Sequence, residues 1–321
     1  MRPAERERGA ALLTVLLLVA VIAVLAGGML EKLRISTRLS ANATSGEQAR
    51  AWAVGAEAMA VVRISSLLGQ SRDRVTLAGG WSGRPLPLPL PGGGTAVARV
   101  TDGGNCFNLN GLVVDSGAGT YSSYPIARAQ FARLMRLLDI PGQTAEQVAA
   151  GASDWIDSDD GQQADGAEDA RYTGQQVGYR TGGTLMVDPS ELRAVAGVTP
   201  DLYARLRPWL CTLPVALPSM INVNTLQSEQ APLLAMLAPD TVSIAAATQL
   251  IARRPPQGWG DANAIWAGSG VSGAPGTAVK TTWFRLAIDV RMAGAELEER
   301  ALIDATRLPV RLVTRQWGED T

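Results

Sequence analysis

The sequence predicts an α+β fold in which a long N-terminal helix precedes an antiparallel sheet, and a large all-α insertion interrupts that sheet. Three patterns support this prediction. Residues 10–68 contain no proline and are rich in helix formers. Apolar residues alternate at 95–101 and again from 283 onward, which indicates strands. Between these stretches, at 126–156 and 190–259, apolar residues recur at helical spacing.

The N-terminal helix is long enough to cross a membrane and continue outside it. Residues 10–30 form an uncharged run of 21 residues, about 31 Å as an α-helix, which spans a bilayer core. Residues 31–68 continue the helical pattern, and Gly69 followed by polar residues predicts its end. Three interpretations compete: a cleaved secretory signal, a plain uncleaved anchor, and a short charged leader that a peptidase removes on the cytoplasmic side.

Composition fits an exported, membrane-anchored protein and excludes several functions. Arg2, Arg6 and Arg8 outnumber Glu5 and Glu7 before the apolar run, so we expect the N-terminus in the cytoplasm. A net charge of -1 offers no electrostatic footprint for nucleic acid. The sequence has no histidine, which excludes Ser-His-Asp and Cys-His nucleophiles and His-ligated zinc. Acid/base chemistry from paired carboxylates or a Ser-Lys pair stays open, but the sequence shows no motif for it, and we expect no enzymatic activity.

The two cysteines, Cys106 and Cys211, lie far apart and belong to no C-x-x-C motif. In an exported protein such a pair most simply forms one disulfide, which would contribute about 4 kcal/mol by closing a long loop. The alternative is two buried, reduced thiols that pack as small hydrophobic side chains.

Strands are expected on both sides of the insertion, at 95–101, 106–114, 283–292, 298–306 and 308–317. Residues 81–94 (WSGRPLPLPLPGGG) are punctuated by proline and glycine and are interpreted as a connector rather than an exposed polyproline ligand. Inside the insertion, helices are expected at 126–138 and 145–156.

An acidic segment inside the insertion is the strongest candidate site. Seven carboxylates fall within residues 154–169, which contain no Lys or Arg. Numbered from Asp157, the segment matches several ligand positions of a twelve-residue EF-hand calcium loop, but Gly161 and Gln162 break that motif. Oxygen-only ligands favour a hard cation, so a hard-cation site is the preferred interpretation. A solvated acidic loop and a catalytic carboxylate pair are the alternatives. The candidate ligands are Asp154, Asp157, Asp159, Asp165, Glu168 and Asp169.

Two segments, 190–210 and 221–259, look like distant helix–turn–helix repeats. They resemble the helix-hairpin-helix module, and INVNT at 221–225 also begins the DNA-binding domain of competence receptors. A membrane-anchored DNA-binding protein is therefore the alternative function. The first turn, 197–199, lacks one of the glycines that present amides to phosphate, and the second turn, 239–241, lacks both. Few basic residues lie nearby, so a packing or interaction module is preferred. They are Arg205, Arg207, Arg253 and Arg254.

The N-terminal junction RERGAALLTVLLLVA resembles the leader junction of type IV pilins and pseudopilins. This resemblance implies that a prepilin peptidase cuts between Gly9 and Ala10 and methylates the new N-terminus. Most members carry Glu at the fifth mature residue, where this chain has Thr14. Inside lipid that Glu would neutralise the N-terminal ammonium of a neighbouring subunit. A subunit without it is poorly suited to the body of a filament but can occupy one end.

Lack of this Glu is characteristic of protein K of the type II secretion system, the tip pseudopilin, and the CFNLN, DWIDSDD and INVNT motifs also resemble that family. The resemblance implies a pilin-like fold with an inserted helix-hairpin-helix or SAM-like domain that binds calcium. It implies a non-enzymatic cap of the pseudopilus that supports export of folded proteins across the outer membrane. The implied partners are the minor pseudopilins I, J and H, the prepilin peptidase and the inner membrane, which the chain crosses once with its bulk in the periplasm.

The expected organisation follows from the resemblance and the patterns together. It comprises a leader at 1–9, a transmembrane part at 10–30, a periplasmic helix at 31–69, the first part of the pseudopilin α/β domain at 70–120, the inserted helical domain at 121–276 and the C-terminal strands at 277–317.

Overall fold

The described part of the chain, in a computed structural model, comprises residues 3–70, 73–91, 93–174, 178–238 and 242–318, with side chains from Ala10 onward. A long N-terminal helix, an antiparallel sheet and further short helices make up this part, which confirms the α+β prediction.

The helices and strands follow one another in an order that separates the sheet strands into two groups. The α-helices are α1 (Pro3–Gln70), α2 (Pro125–Leu137), α3 (Gly142–Ile156), α4 (Asp169–Thr173), α5 (Pro200–Leu206), α6 (Ala231–Ala235) and α7 (Ile244–Ala252). The strands are β1 (Leu86–Pro89), β2 (Gly94–Asp102), β3 (Phe107–Asn108), β4 (Val113–Gly117), β5 (Thr120–Ser123), β6 (Leu210–Cys211), β7 (Ile221–Asn222), β8 (Thr277–Ala278), β9 (Trp283–Met292), β10 (Ala295–Asp304) and β11 (Arg311–Trp317). Short 3-10 helices occupy Leu109–Leu112, Pro189–Ala194, Arg207–Trp209, Ser228–Gln230 and Ala262–Trp266.

Helix α1 runs without a break from the apolar N-terminal segment to Gln70, one residue beyond the predicted end. It is long and apolar enough to cross a membrane, and its N-terminal half is exposed. Its C-terminal part packs on the sheet through one face of small residues, since Ala49, Ala53, Ala56 and Ala60 are buried at helical spacing. These small side chains let the helix lie close to the strands.

Five strands form one antiparallel sheet in the order β1-β2-β9-β10-β11. Strand β9 has the predicted bounds, and its alternating Phe284, Leu286, Ile288 and Val290 are buried against α1. The chain therefore leaves the sheet after β2 and returns at β9.

The proline-rich segment 81–94 was wrongly interpreted as a plain connector, because Leu86–Pro89 forms edge strand β1 against β2. The N–H of Leu90 donates to the carbonyl of Gly94 at 3.1 Å. Since inward and outward N–H groups alternate along an antiparallel edge, Pro87 and Pro89 fall where an N–H would face the free edge. The alternating prolines therefore suit an edge strand.

The strand predicted at 106–114 is wrong over most of its length. Phe107–Asn108 is extended, but the 3-10 helix Leu109–Leu112 follows directly, and the chain becomes extended again only at Val113, where β4 begins. The side chain of Asn108 accepts a hydrogen bond from the N–H of Asn110 and so caps this helix. The backbone at Gly111 also lies against another segment, since a Cβ there would be 2.5 Å from the carbonyl oxygen of Leu217.

The helical region has a hydrophobic core of its own, distinct from the core between α1 and the sheet. Phe107, Leu109, Leu112 and Val113 pack in the helical core, although the expected boundary at 121 assigns them to the sheet domain. Helices α2 and α3 lie within three residues of their predicted positions and pack against each other.

Cys106 and Cys211 are joined by a disulfide, with Cα atoms 5.8 Å apart. Both residues are buried between the two cores, in a small cluster with Leu213, Trp283 and Leu302. The disulfide therefore ties the first segment after β2 to the helical region.

Candidate metal centre and polar junction

Asp154, at the end of α3, anchors the acidic loop. Its side chain is buried, and Oδ2 accepts hydrogen bonds from the N–H groups of Ala167 at 2.8 Å and Gln163 at 3.2 Å. Burial raises the pKa of Asp154, while these hydrogen bonds lower it. A Cβ at Gly166 would lie 2.0 Å from Asp154 Oδ2, so this loop requires glycine there. Asp154 thus holds both ends of the loop together.

Asp157 and Glu168 carry the unsatisfied charge of the loop. Both carboxylate oxygens of Asp157 and Oε1 of Glu168 are buried without a hydrogen-bond partner in the described structure. Burial, followed by the charges of Asp159 and Asp154, raises the pKa of Asp157 to about 7. Burial and the same two neighbours raise the pKa of Glu168 to about 7. Orphaned buried carboxylates are costly, and a bound cation would remove that cost.

The other predicted ligands have different roles. Asp159 is exposed and accepts a hydrogen bond from the N–H of Gly161 at 2.8 Å. Asp165 is exposed and has a positive φ of 65°. Asp169 accepts hydrogen bonds from the N–H and hydroxyl of Thr181 at 2.9 and 3.0 Å, and the first of these lowers the pKa of Asp169. Within the described residues, no three acidic, His or Cys side chains form a ready-made metal cluster.

The residues present fit calcium through a reduced set of protein ligands. Asp157 and Glu168 offer carboxylate oxygens that have no hydrogen-bond partner in the described structure. Calcium readily completes its coordination shell with backbone carbonyls and water. The remaining carboxylates shape the loop or stay in solvent. The arrangement can therefore hold a hard cation, and among the six candidates Asp157 and Glu168 are the ones with buried oxygens that lack a partner in the described structure.

Two arginines that the sequence reasoning missed offset part of the acidic charge. Arg128 on α2 donates to the side-chain oxygen of Gln163 at 2.6 Å and lowers the pKa of Asp154 through its charge. Arg180 Nε lies 3.7 Å from Asp169 Oδ2. Arg128 lies well upstream of the loop, so no local spacing could indicate its role.

A second group of buried polar side chains lies where the helical region meets the sheet. Asn108 donates to the carbonyls of Leu217 at 2.9 Å and Val215 at 3.2 Å. Asn110 donates to the carbonyls of Met186 and Leu213, both at 2.9 Å. These asparagines of the CFNLN motif take the place of backbone pairing between irregular segments. We call the group the polar junction; its members are Asn105, Asn108, Asn110, Asn222, Asn224, Thr225 and Thr281.

The INVNT motif supplies the other half of the polar junction. Asn222 donates to the carbonyl of Val75 at 3.0 Å and to the hydroxyl of Thr281 at 2.8 Å. Asn224 donates to the carbonyl of Trp259 at 3.0 Å and accepts from its N–H at 2.6 Å. The motif thus ties the helical region to the segment after α1 and to the approach to β9.

Basic residues of the second helix-hairpin repeat donate hydrogen bonds to backbone carbonyls of this chain. The first repeat contains a 3-10 helix and α5, and Thr199 caps α5 by accepting from the N–H of Leu202. Arg253 donates to the carbonyl of Ala267 at 2.9 Å, and Arg254 donates to that of Leu226 at 2.7 Å. These guanidinium groups satisfy backbone carbonyls, which leaves them poorly placed for phosphate. The second turn, 239–241, lies outside the described residues.

Processing at the N-terminus stays a prediction. Met1, Arg2 and the side chains of residues 3–9 lie outside what the structure describes, so it gives no test of cleavage between Gly9 and Ala10. Thr14 is described, and its hydroxyl donates to the carbonyl of Ala11 at 2.8 Å within the same helix.

Comparisons with known proteins agree on one family. Two family models, both described as type II secretion system (T2SS), protein K, match residues 105–215 and 221–286. Type II secretion system protein K of Pectobacterium carotovorum subsp. carotovorum is 32% identical, over 98% of this chain and 97% of that protein. The protein of the same name from Klebsiella pneumoniae is 33% identical over 98% and 97% of the two chains.

A solved structure extends the likeness to three dimensions. A chain in the crystal structure of the GspK-GspI-GspJ complex from enterotoxigenic Escherichia coli superimposes with a TM-score of 0.73 and is 30% identical. The superposition covers 85% of this chain and 97% of that chain.

Proposed function

Given that the chain belongs to the type II secretion system protein K family and is a minor pseudopilin of that system, we propose that it caps the tip of the pseudopilus. In that position it would support export of folded proteins across the outer membrane. The observation that carries this proposal is the pairing of an anchor helix that lacks the usual acid with a bulky helical region inserted between β2 and β9. We propose a structural role in assembly, without catalysis.

The exposed face of α1 supports helix packing with other pseudopilins. No exposed charge lies between Arg50 and Arg63, since Glu57 is buried. A Cβ at Gly55 would meet nothing within 4 Å, so this part of the helix is open to a neighbour. Small and apolar side chains allow helices to approach closely. The face consists of Ala51, Val54, Gly55, Ala58, Met59 and Val62.

The proposed partners of this face are the minor pseudopilins I, J and H. The name of the solved complex supports the first two, because it places a related protein together with GspI and GspJ. We propose that the inserted helical region then prevents another subunit from stacking beyond this one.

The identity of residue 14 supports a terminal position in the filament. Thr14 is uncharged, and its hydroxyl is already satisfied by the carbonyl of Ala11. It therefore has nothing to neutralise the N-terminal ammonium of a neighbour in lipid, where an unpaired charge is costly. A subunit of this kind would interrupt the repeating body of the filament but fits its end.

The location and processing of the chain follow from the same proposal. Helix α1 fits a single-pass membrane anchor. We propose that it crosses the inner membrane with its N-terminus in the cytoplasm and its bulk in the periplasm. A prepilin peptidase would cut between Gly9 and Ala10 and methylate Ala10.

Calcium binding in the acidic loop is part of the proposed function. The vacant oxygens of Asp157 and Glu168 support it, with Asp154 holding the loop closed around them. The ion would neutralise charges that are otherwise buried without partners, and so order a loop that resists folding against its own charge. Its role would be structural.

Substituting Thr14→Glu tests the terminal position. We expect wild-type protein to be labelled by immunogold at one end of overexpressed pseudopili, and the variant to appear along the shaft because it can now neutralise a neighbouring ammonium. Thr14→Ser is the matched control and should stay at the end. Equal distribution of wild type and Thr14→Glu would contradict the proposal.

A further inference from the structure

Three charged side chains meet in the interface between α1 and the sheet, away from the acidic loop. Glu57 lies on α1, Glu299 on β10 and Arg315 on β11. Glu57 is 8% exposed and Glu299 is 0% exposed. Arg315 Nη2 lies 2.7 Å and Nε 2.8 Å from Glu57 Oε2, while Nε is 3.4 Å from Glu299 Oε1. We call this group the carboxyl pair with its arginine.

The charges of this group do not balance when both glutamates are ionised. Arg315 supplies one positive charge, and its short contacts go to Glu57. Neither carboxylate oxygen of Glu299 has a hydrogen-bond partner in the described structure, although both are buried. An ionised Glu299 would therefore be a buried charge beside a like charge, which is unfavourable.

Among the described residues, the surroundings of Glu299 offer no charge beyond Glu57 and Arg315. Its partner on β9 is Ile288, which is apolar. The neighbours along β10, Glu298 and Arg300, point to the opposite face of the sheet and pair with each other at 3.1 Å. The charged groups that face Glu299 are thus Glu57 from α1 and Arg315 from β11.

We propose that the carboxyl pair with its arginine is a proton-operated latch between the anchor helix and the sheet. With its proton, Glu299 donates a hydrogen bond to Glu57, which remains paired with Arg315. When that proton leaves, two carboxylates face each other across the interface with one guanidinium between them, and α1 is held less firmly. Because α1 carries the membrane anchor, the pH of the surrounding medium sets how tightly the rest of the protein is fixed to it. This inference does not depend on a position at the tip.

The direction of the pH effect follows from the environment of Glu299. Burial, then Glu57, raises the pKa of Glu299 from its ordinary 4.5 to about 7, against the opposing effect of Arg315. A raised folded-state pKa gives a stabilising contribution that is complete below the ordinary value and is lost as pH rises to about 7. The latch is therefore closed in mildly acidic medium and weakened in alkaline medium.

Hydrogen exchange of the full-length chain in detergent micelles tests the latch. The readout is the exchange rate of residues 52–60 and 297–303, compared between wild type and Glu299→Gln at the same pH so that intrinsic exchange cancels. We expect similar rates at about pH 4, below the ordinary pKa of Glu299, and wild-type exchange faster by at least about tenfold at about pH 8.5, because each of the roughly 2.5 pKa units between 4.5 and about 7 corresponds to at most a factor of ten. Equal differences at both pH values would overturn the proposal.

A second variant and a control keep the test independent of the behaviour of Glu299→Gln. Glu57→Gln leaves Glu299 as the partner of Arg315, so exchange between these two pH values should lose its dependence on protonation. Glu298→Gln lies on the same strand but on the opposite face, and should keep the wild-type pH response. Full retention of that response in Glu57→Gln would also overturn the proposal.

Discussion

The polar junction and the acidic loop both bury polar side chains, but they differ in whether those side chains have hydrogen-bond partners within the protein. In the junction, Asn108, Asn110 and Asn222 each find several partners within the protein. In the loop, Asp157 and Glu168 keep buried oxygens without any partner in the described structure.

This difference distinguishes a region that stabilises the fold from a region that can bind a ligand. A buried polar group whose hydrogen bonds are complete stabilises one arrangement of the chain and needs nothing else. A buried carboxylate without a partner destabilises the chain until a cation or proton arrives. By this criterion the junction is a fixed connection, and the loop is a site that depends on its ligand.

Breaking the junction should have the largest effect on stability. Asn222→Ala removes donors to the carbonyl of Val75 and the hydroxyl of Thr281, both in buried surroundings. We expect the free energy of unfolding to fall by about 3 kcal/mol, since buried groups are left unsatisfied. Thermal unfolding of the full chain in detergent, with and without calcium, measures this loss.

The control for that experiment is Asn42→Ala, which lies exposed on α1 and should change stability little. The loss in Asn222→Ala should be the same in calcium and in chelator. A loss that calcium reverses would show that the junction is not a fixed connection.

Calcium should stabilise the wild type by a somewhat smaller amount. At a free concentration about a hundredfold above Kd, we expect a gain of about 2.7 kcal/mol. Asp157→Asn should abolish the gain, because it removes a vacant anionic ligand. Asp160→Asn, an exposed change in the same loop, is the control and should keep it.

Terbium luminescence gives a second measurement of the same site. Trp155 lies next to the loop, with its ring 5.4 Å from that of Tyr172. Excitation of the tryptophan should sensitise bound terbium in wild type and Asp160→Asn, and calcium should quench the signal by competition. An equal signal in Asp157→Asn would exclude Asp157 as a ligand.

Without calcium, the loop should make stability depend on pH, with the smallest of these effects. The pKa values of Asp157 and Glu168 are raised to about 7 by burial and by neighbouring carboxylates. Their stabilising contribution is complete below about pH 4 and is lost as pH rises to about 7. We expect wild type to lose about 2 kcal/mol relative to Asp157→Asn over this range.

The same titration in saturating calcium should reverse the sign, because the ion binds the ionised carboxylates. Taking the difference between the two chains removes the separate contribution of Glu299, which both contain. A difference that stays constant from about pH 4 to about pH 7 in chelator would show that Asp157 does not titrate in this range.

Local patterns predicted the regular elements well. Helix α1, helices α2 and α3 and strand β9 follow periodicities that depend on neighbouring residues. The errors arose where distant segments decide the conformation. Within the strand predicted at 106–114, residues 109–112 form a 3-10 helix because other segments approach Gly111 and Asn110, and the prolines of 86–89 form a strand because β2 lies beside them.

The sequence predicted which residues make up the candidate site, but it did not predict the role of each residue. A concentration of carboxylates without Lys or Arg marks the acidic loop from the sequence alone. The sequence around these residues does not show that the carboxylate of Asp157 lacks a hydrogen-bond partner in the described structure, whereas that of Asp169 accepts a hydrogen bond from Thr181. The motif INVNT suggested a nucleic-acid module, whereas Asn222 and Asn224 bind backbone segments of this chain.

By itself the sequence determined the anchor helix, the threonine at position 14, the absence of histidine chemistry and the acidic loop. The tertiary structure alone decided which acids are satisfied, and it brought Glu57, Glu299 and Arg315 together from three separate elements. The physical reason is the separation along the sequence over which each effect acts. Helical and strand periodicity act between residues a few positions apart, whereas desolvation and pairing of a charge depend on whatever the folded chain places around it.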